Sequence, residues 1–369
     1  MEKEESLNFL HPCSEAPKNS ADFKEKDANC LENIEFFFST RDGGIRLGEG
    51  NNATVFKLVQ RRNIENAVAV KIVFFETYGN SEVGIACELN SLMNLTPVVM
   101  RTYGYLVCDR EDLHPVWVES VPAPFNVDNT YMLLFMNIAP YRWKYDSEKN
   151  NPFPITRKDD ALALLYTMAH GLYILRRDLG FVHGDLHDGN VMLTVNAHQD
   201  GPVRLFFSDT IYSDVTLPYN IMPKFIDYGT SYTANYPREK DVPQRPFTDT
   251  EMLLNLFDAE TRYGRPDVSR VVDIRALYNQ KMSKGLQRLF EKEYSTKILL
   301  IFMHKVGIFD SVSTIQSGTL DRPLKRTKMC IQCGINEGSH FIQGKEGILC
   351  GEYCNHDVGD MAYFLPKEK

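Results

Sequence analysis

Phe181-Val182-His183-Gly184-Asp185-Leu186-His187-Asp188-Gly189-Asn190-Val191-Met192-Leu193 is the stretch that decides the fold. Its thirteen residues hold two apolar positions, a His-Gly-Asp turn, an Asn five positions after that Asp, and a new apolar run. The layout predicts strand, loop and strand, with an acid and an amide presented from one loop. A carboxylate so placed orients a hydroxyl nucleophile and accepts its proton, and the side-chain carbonyl of the Asn can hold a magnesium ion beside a nucleotide. A hairpin loop that merely favours Asp, Gly and Asn is the plainer reading of the same residues. The other parts of a nucleotide site, in workable order, would decide for the chemistry.

Upstream, Leu47-Gly48-Glu49-Gly50-Asn51-Asn52-Ala53-Thr54-Val55-Phe56 sets Gly48 and Gly50 two apart, a small Ala53 where a third glycine often sits, and Val55 two further on. This describes a hairpin whose backbone approaches phosphates without side-chain obstruction, although glycine-rich hairpins also arise for turn reasons alone. Val68-Ala69-Val70-Lys71-Ile72-Val73 then embeds one Lys in an apolar, strand-like run. Burying that amine unpaired is costly, so Lys71 is the expected ligand of ATP phosphates; an edge-strand Lys turned to water is the alternative. Its expected partner is Glu88. The run from Val83 to Leu95 has apolar residues at 85, 89, 92 and 93 on one helix face, and Glu88 lies beside that face. Glu82 ranks second, because an acid at the expected helix start is favoured there for its own reason.

Thr102 to Cys108 and Tyr131 to Ile138 read as strands, with Pro115, Pro122 and Pro124 between them. The polar, proline-containing run from Pro140 to Pro154 reads as a crossover between lobes, which places an adenine near residues 135 to 139. Asp159 to Leu179 carries the strongest helical periodicity in the chain and leads into the central run. Downstream, Lys224-Phe225-Ile226-Asp227-Tyr228-Gly229 brings an acid out of a short apolar strand. Asp227 is then the principal magnesium ligand and Asn190 the second, against the commoner fate of an Asp before Gly in a plain turn.

GEGNNATV, VAVK, Glu88, HGDLHDGN and DYG together resemble the protein kinase-like superfamily, over about residues 45 to 310 and in the same order. The resemblance implies a two-lobed α+β fold, with an antiparallel N-lobe sheet plus helix and a mostly helical C-lobe. It implies that Gly48, Gly50 and Ala53 cover the phosphates with Val55 beside them, that Lys71 pairs with Glu88, that Asp185 is the catalytic base, and that Asn190 and Asp227 bind magnesium. Three departures stand out. Gly184 takes the place where many protein kinases carry Arg, so control through an Arg gripping a phosphorylated loop is not expected. An insertion at about 196–223 separates Asn190 from Asp227. No Ala-Pro-Glu follows Gly229, and the helix-like run Asp249 to Phe257 arrives early, leaving a short segment for holding a peptide. HGDLHDGN also looks like the loop of choline kinases and aminoglycoside phosphotransferases, and divergent kinases of large DNA viruses share the reductions.

The chain has 369 residues, enough for such a domain plus an appendage. Residues 1 to 32 are polar and charged and read as a disordered arm. The kinase-like domain is expected over 33–325, with an N-lobe to about 138 and a C-lobe from about 139. A net charge of −8 argues against a general nucleic-acid or acidic-membrane binder. No apolar run is long enough to cross a bilayer, and the acidic N-terminus is no secretory signal. A reducing, cytoplasmic or nuclear setting is expected, the host cell of a virus included.

Of eight cysteines, Cys13, Cys30, Cys87 and Cys108 are scattered, whereas Cys330, Cys333, Cys350 and Cys354 form two close pairs. Paired thiolates meet the tetrahedral demand of a structural zinc, so 326–369 reads as a small four-cysteine, zinc-ribbon-like module with a tail, His340 and His356 being substitute ligands. Four incidental thiols are the alternative.

The expected function is ATP- and magnesium-dependent phosphoryl transfer to Ser or Thr of a protein substrate. A small-molecule kinase uses the same site. A pseudokinase scaffold, whose zinc module binds a partner, is the reading from another class.

Overall fold

The computed structural model describes residues 7–16, 26–50, 53–64, 66–74, 80–121, 130–143, 158–195, 221–237, 249–257 and 299–300, with short strands at 203–205, 215–217, 316–317, 340–341 and 348–349. It is a mixed α+β protein with two compact units. One unit takes Met1–Lys144, Leu175–Thr194 and Pro223–Pro246; the other takes Tyr145–Ile174, Val195–Met222 and Phe247–Lys369.

In the first unit the chain runs β1 (His11–Pro12), α1 (Cys30–Phe37), β2 (Phe38–Ser39), β3 (Ile45–Glu49), β4 (Ala53–Gln60), β5 (Ala67–Phe74), α2 (Asn80–Leu89), β6 (Thr102–Asp109), α3 (Pro115–Ser120) and β7 (Thr130–Met136). The seven strands form one sheet in the order β1-β6-β7-β5-β4-β2, with β3 also on β4, and each recorded pairing is antiparallel. β4 alternates buried and half-buried positions, whereas β5 is buried along nearly its whole length. The difference follows from position: β5 lies between β4 and β7 and is covered on both faces. One face joins Leu58, Val70, Ile72, Leu133 and Phe135 to Ile34 of α1 and Trp117 of α3 in a single apolar core. Lys71 alternates with Val70 and Ile72 and so points to the opposite face.

The expectation of a disordered arm to residue 32 is corrected for 7–16 and 26–32. β1 pairs with β6, Leu7, Leu10 and Cys30 are buried, and Asp27 N donates to Val107 O at 2.7 Å. The Asp27 carboxylate accepts from Val107 N at 2.8 Å and meets His11 Nε2 at 2.7 Å. Without this segment β6 would be an open sheet edge with unpaired amides and carbonyls. Composition marks such a segment as unable to build its own core, but here it needs only to cover an edge built by other residues.

The four scattered cysteines are likewise corrected: they form two disulfides, Cys13–Cys87 and Cys30–Cys108, with sequence separations of 74 and 78. Both tie the N-terminal segment to the sheet unit, the first through α2 and the second through β6. Separations this large conceal pairs in a linear reading.

After β7 come β8 (Tyr141–Arg142), α4 (Lys158–Leu179), β9 (Val191–Val195), β10 (Val203–Leu205), β11 (Val215–Leu217) and β12 (Ile221–Phe225), with β12-β9-β8 forming a small sheet. The insertion expected at 196–223 contains the antiparallel pair β10–β11 and runs into the start of β12. In the second unit, β11 also pairs with β13 (Gln316–Ser317), and α5 (Asp249–Asn255) coincides with the acidic run read as helical. Cys330, Cys333, Cys350 and Cys354 lie outside the described residues. Between the two cysteine pairs, β14 (His340–Phe341) and β15 (Ile348–Leu349) pair antiparallel. Among the described residues no helix is long and apolar enough to cross a membrane.

Candidate phosphotransfer site

Lys71 sits in mid-β5, in register with Val55 of β4 on one side and Leu134 of β7 on the other. With 7% of its surface exposed it is buried, and its Nζ donates to Glu82 Oε1 and, at 3.0 Å, to Asp227 Oδ1. Burial alone would depress the amine's pKa, but the carboxylates of Glu82 and Asp227 outweigh it and the pKa is raised. Lys71 therefore carries its charge at any physiological pH. The same amine draws the half-exposed Asp227 carboxyl below its usual value, against the effect of burial. Glu82 is shifted upward by its own burial, which Lys71 opposes.

The partner of Lys71 is thus Glu82, and the assignment to Glu88 is corrected. α2 begins at Asn80, so Glu82 lies within its first turn, at the helix start as expected, and it is buried there. Six residues further on, Glu88 is rotated by about 120° around the helix axis and cannot share that direction. Glu88 instead accepts from Thr233 Oγ1 at 2.7 Å and from Asn235 Nδ2.

The central run is fastened to the segment after β12, both lying in the first unit. Val182 and Tyr232 exchange backbone hydrogen bonds of 2.9 and 3.0 Å. The buried His183 donates from Nε2 to Ile226 O at 3.1 Å, while its own carbonyl accepts from Thr230 Oγ1 at 3.3 Å and Ser231 Oγ at 2.9 Å. Gly184 has φ +77°, and a Cβ there would lie 2.9 Å from the Thr230 carbonyl. No L side chain suits that backbone and that space, so the position takes glycine.

Asn190 donates from Nδ2 to Asp185 O at 2.9 Å, so its side-chain oxygen is the end left to accept. Ile226 N donates to Asn190 O at 3.1 Å, one residue before Asp227. Asp227 itself has φ +65°, a left-handed conformation that Asp tolerates better than most residues. The next amide, Tyr228 N, donates to Glu82 Oε1 at 3.3 Å, so α2 holds both Lys71 and the backbone after Asp227. The Asp185 carboxylate is a quarter exposed, with His187 Nε2 at 3.9 Å. His187 Nδ1 accepts from Gly189 N at 3.0 Å.

Gly48 pairs with Val55 in the β3–β4 hairpin, and Gly50 N donates to Ala53 O at 2.8 Å to close it. Arg142 of β8 donates to Leu47 O at 2.6 Å, a tie across the glycine hairpin that the sequence did not signal. Lys71 is therefore in direct contact with both Glu82 and Asp227, and Asp185 and Asn190 lie on a loop bonded to the strand end that carries Asp227. Gly48, Gly50, Ala53 and Val55 occupy the adjoining hairpin.

Among the described residues no group of three or more His, Cys, Asp or Glu side chains could hold a metal ion. One ionised carboxylate, Asp227, and one amide oxygen turned free by its own hydrogen bond, Asn190, nevertheless fit magnesium, which keeps waters and substrate phosphate in its remaining positions. No protein-family model matches the chain, and comparison with curated proteins finds no significant match.

Proposed function

We propose that the protein is an ATP-dependent phosphotransferase that moves the γ-phosphoryl group to a hydroxyl, with Ser or Thr of a protein as the acceptor. The observation that carries this reading is the buried Lys71 held between Glu82 and Asp227, the latter on a segment bonded to the Asp185–Asn190 loop. A cation with two fixed carboxylates suits phosphate better than it suits a core, where apolar residues of similar volume would do as well.

In this mechanism Asp185 orients the acceptor hydroxyl and takes its proton as the oxygen attacks the γ-phosphorus. The bond from that phosphorus to the β,γ-bridging oxygen breaks, ADP leaves, and the proton passes from Asp185 to solvent. Lys71 balances phosphate charge, and Glu82 holds its amine in place. Asp227 and the Asn190 side-chain oxygen would hold magnesium, which supplies further neutralisation of phosphate charge. The β3–β4 hairpin would cover the phosphates, and the adenine would lie near residues 135–139. The C-terminal cysteines Cys330, Cys333, Cys350 and Cys354 would close a structural zinc site that takes no part in transfer.

A small hydroxyl compound as acceptor is the second reading, favoured by the short stretch between Gly229 and α5. The need for ATP favours a cytoplasmic or nuclear setting; the two disulfides then require a local route for thiol oxidation. Transfer of labelled γ-phosphate with magnesium, from intact protein and from Asp185→Asn, tests the reading against a mixture of proteins and small alcohols. Label on Ser or Thr that is lost in the variant supports it. Label on a small compound selects the second acceptor class. No transfer from a folded intact protein rejects both and favours a scaffold.

A further inference from the structure

Glu88 is left without a part in the chemistry, yet its partners are unusual. It sits at the last turn of α2 and takes the hydroxyl of the buried Thr233 at 2.7 Å and the amide of the exposed Asn235. Thr233 Oγ1 in turn accepts from Tyr236 N at 3.1 Å, and Thr233 N donates to Tyr236 O at 2.9 Å. One helical turn before Glu88, Gly84 lies against the Tyr236 ring so closely that a Cβ would come within 2.3 Å of it. The segment 233–236 is thus folded into a tight turn and pressed onto α2.

The same helix, at its first turn, holds Lys71 and the Tyr228 amide through Glu82. Residues 227–236 are therefore attached to α2 at both ends, through Glu82 near Asp227 and through Glu88 near Thr233. The chain between the two attachments is the part that bonds to the central run at Val182 and His183 and passes close to Gly184. The contacts that close this ring are made by Glu82, Glu88, Thr233, Asn235 and the Tyr228 and Tyr236 amides, and no Arg takes part in them.

We propose that Glu88 is a positioning residue, which clamps the 233–236 turn to α2 and so keeps Glu82 on Lys71 without phosphorylation of the segment. The functional part of this inference rests on the phosphotransfer reading; the clamp itself does not. Asn235 offers the cleanest handle, being exposed and facing Glu88. Asn235→Asp sets two carboxylates against each other, Asn235→Lys replaces the amide with a cation, and the double variant Glu88→Lys/Asn235→Asp reverses the pair.

The test reads the acylation rate of Lys71 by a small amine-reactive ester, mapped by mass spectrometry, together with kcat and the ATP KM in dephosphorylated protein. Asn235→Asp and Glu88→Ala should raise Lys71 acylation and lower kcat about ten-fold each, while Asn235→Lys and the reversed pair stay within about three-fold of the intact protein. Protection of Lys71 unchanged in both Asn235→Asp and Glu88→Ala overturns the clamp. Equal losses in Asn235→Asp and Asn235→Lys, following melting temperature rather than charge, overturn it as well. An intact protein that transfers nothing, but whose Lys71 is unmasked by Asn235→Asp, keeps the clamp and rejects the phosphotransfer reading.

Discussion

The two ends of α2 carry one glutamate each, and they use it differently. At the first turn Glu82 is buried and is matched by a full charge, Lys71, together with a backbone amide. At the last turn Glu88 is only half-buried and is matched by a neutral hydroxyl and a neutral amide. The difference follows from desolvation. A carboxylate removed from water needs a cation and several donors to stay charged, whereas one that keeps part of its hydration is satisfied by ordinary hydrogen bonds. Glu82 accordingly bears on the charge at the site, and Glu88 on where a segment lies.

The largest effect should come from the buried end. Glu82→Ala leaves a buried amine with one half-exposed partner, and it should cost about 3 kcal/mol in urea unfolding. Any phosphotransfer should fall about a hundred-fold, since misplacing a positioned group by an ångström has that scale of effect. A larger loss of activity in Glu88→Ala than in Glu82→Ala would reverse the comparison. Lys71→Met with Glu82→Leu should recover much of the stability and none of the activity.

The disulfide at Cys87 sharpens the comparison, because it fastens the far end of α2 covalently to the N-terminal segment. Opening a loop of this size, as in Cys13→Ser/Cys87→Ser, should lower stability by on the order of 2–4 kcal/mol in a chain-entropy account. Activity should fall less than in Glu82→Ala, since the Lys71 contact lies at the other end. Identical urea midpoints with and without a reductant, in protein whose thiols the reductant has fully exposed to alkylation, would remove the disulfides from the account of stability.

The smallest effect concerns a second, half-buried lysine. Lys224 Nζ donates to Pro97 O at 2.6 Å and Val99 O at 3.0 Å, and burial lowers its pKa to about 8. Lys71, beside two carboxylates, moves the other way. Between pH 8 and the ordinary value of 10.5 the folded chain has released the Lys224 proton while the unfolded chain still holds it. Unfolding in that window takes up a proton, so the contribution of Lys224 to stability rises with pH there and is flat below it. Comparing urea midpoints of the intact protein and Lys224→Met across this window isolates the term. A midpoint difference that does not change with pH would show that Lys224 is solvated.

Much of the framework was legible in the sequence. Lys71 inside an apolar run, the helix ending at Leu179, and the strand leading to Asp227 each rest on local patterns that the structure also displays as elements. Periodicity reads such segments because one face or both are buried along the described stretch. Glu82 stands at the helix start that the sequence indicates, where an acid is favoured whether or not it meets a lysine, so only the packing of α2 distinguishes it from Glu88. The hydroxyls of Thr230, Ser231 and Thr233 carry no signal in the sequence, since a Ser/Thr-rich turn looks the same whether it faces water, a carbonyl or a carboxylate.

By itself the sequence determined which segments are strands and helices around the site, and it named the acids, the amide and the lysine that could do the chemistry. Tertiary structure alone decided which glutamate meets Lys71, which cysteines pair across 74 and 78 residues, and that a polar N-terminal segment covers the edge of β6. Local order is set by neighbours within a few residues, which a linear pattern contains. A partner for a buried charge, a thiol or a sheet edge is set by what the fold brings alongside, and that is a property of the packed chain.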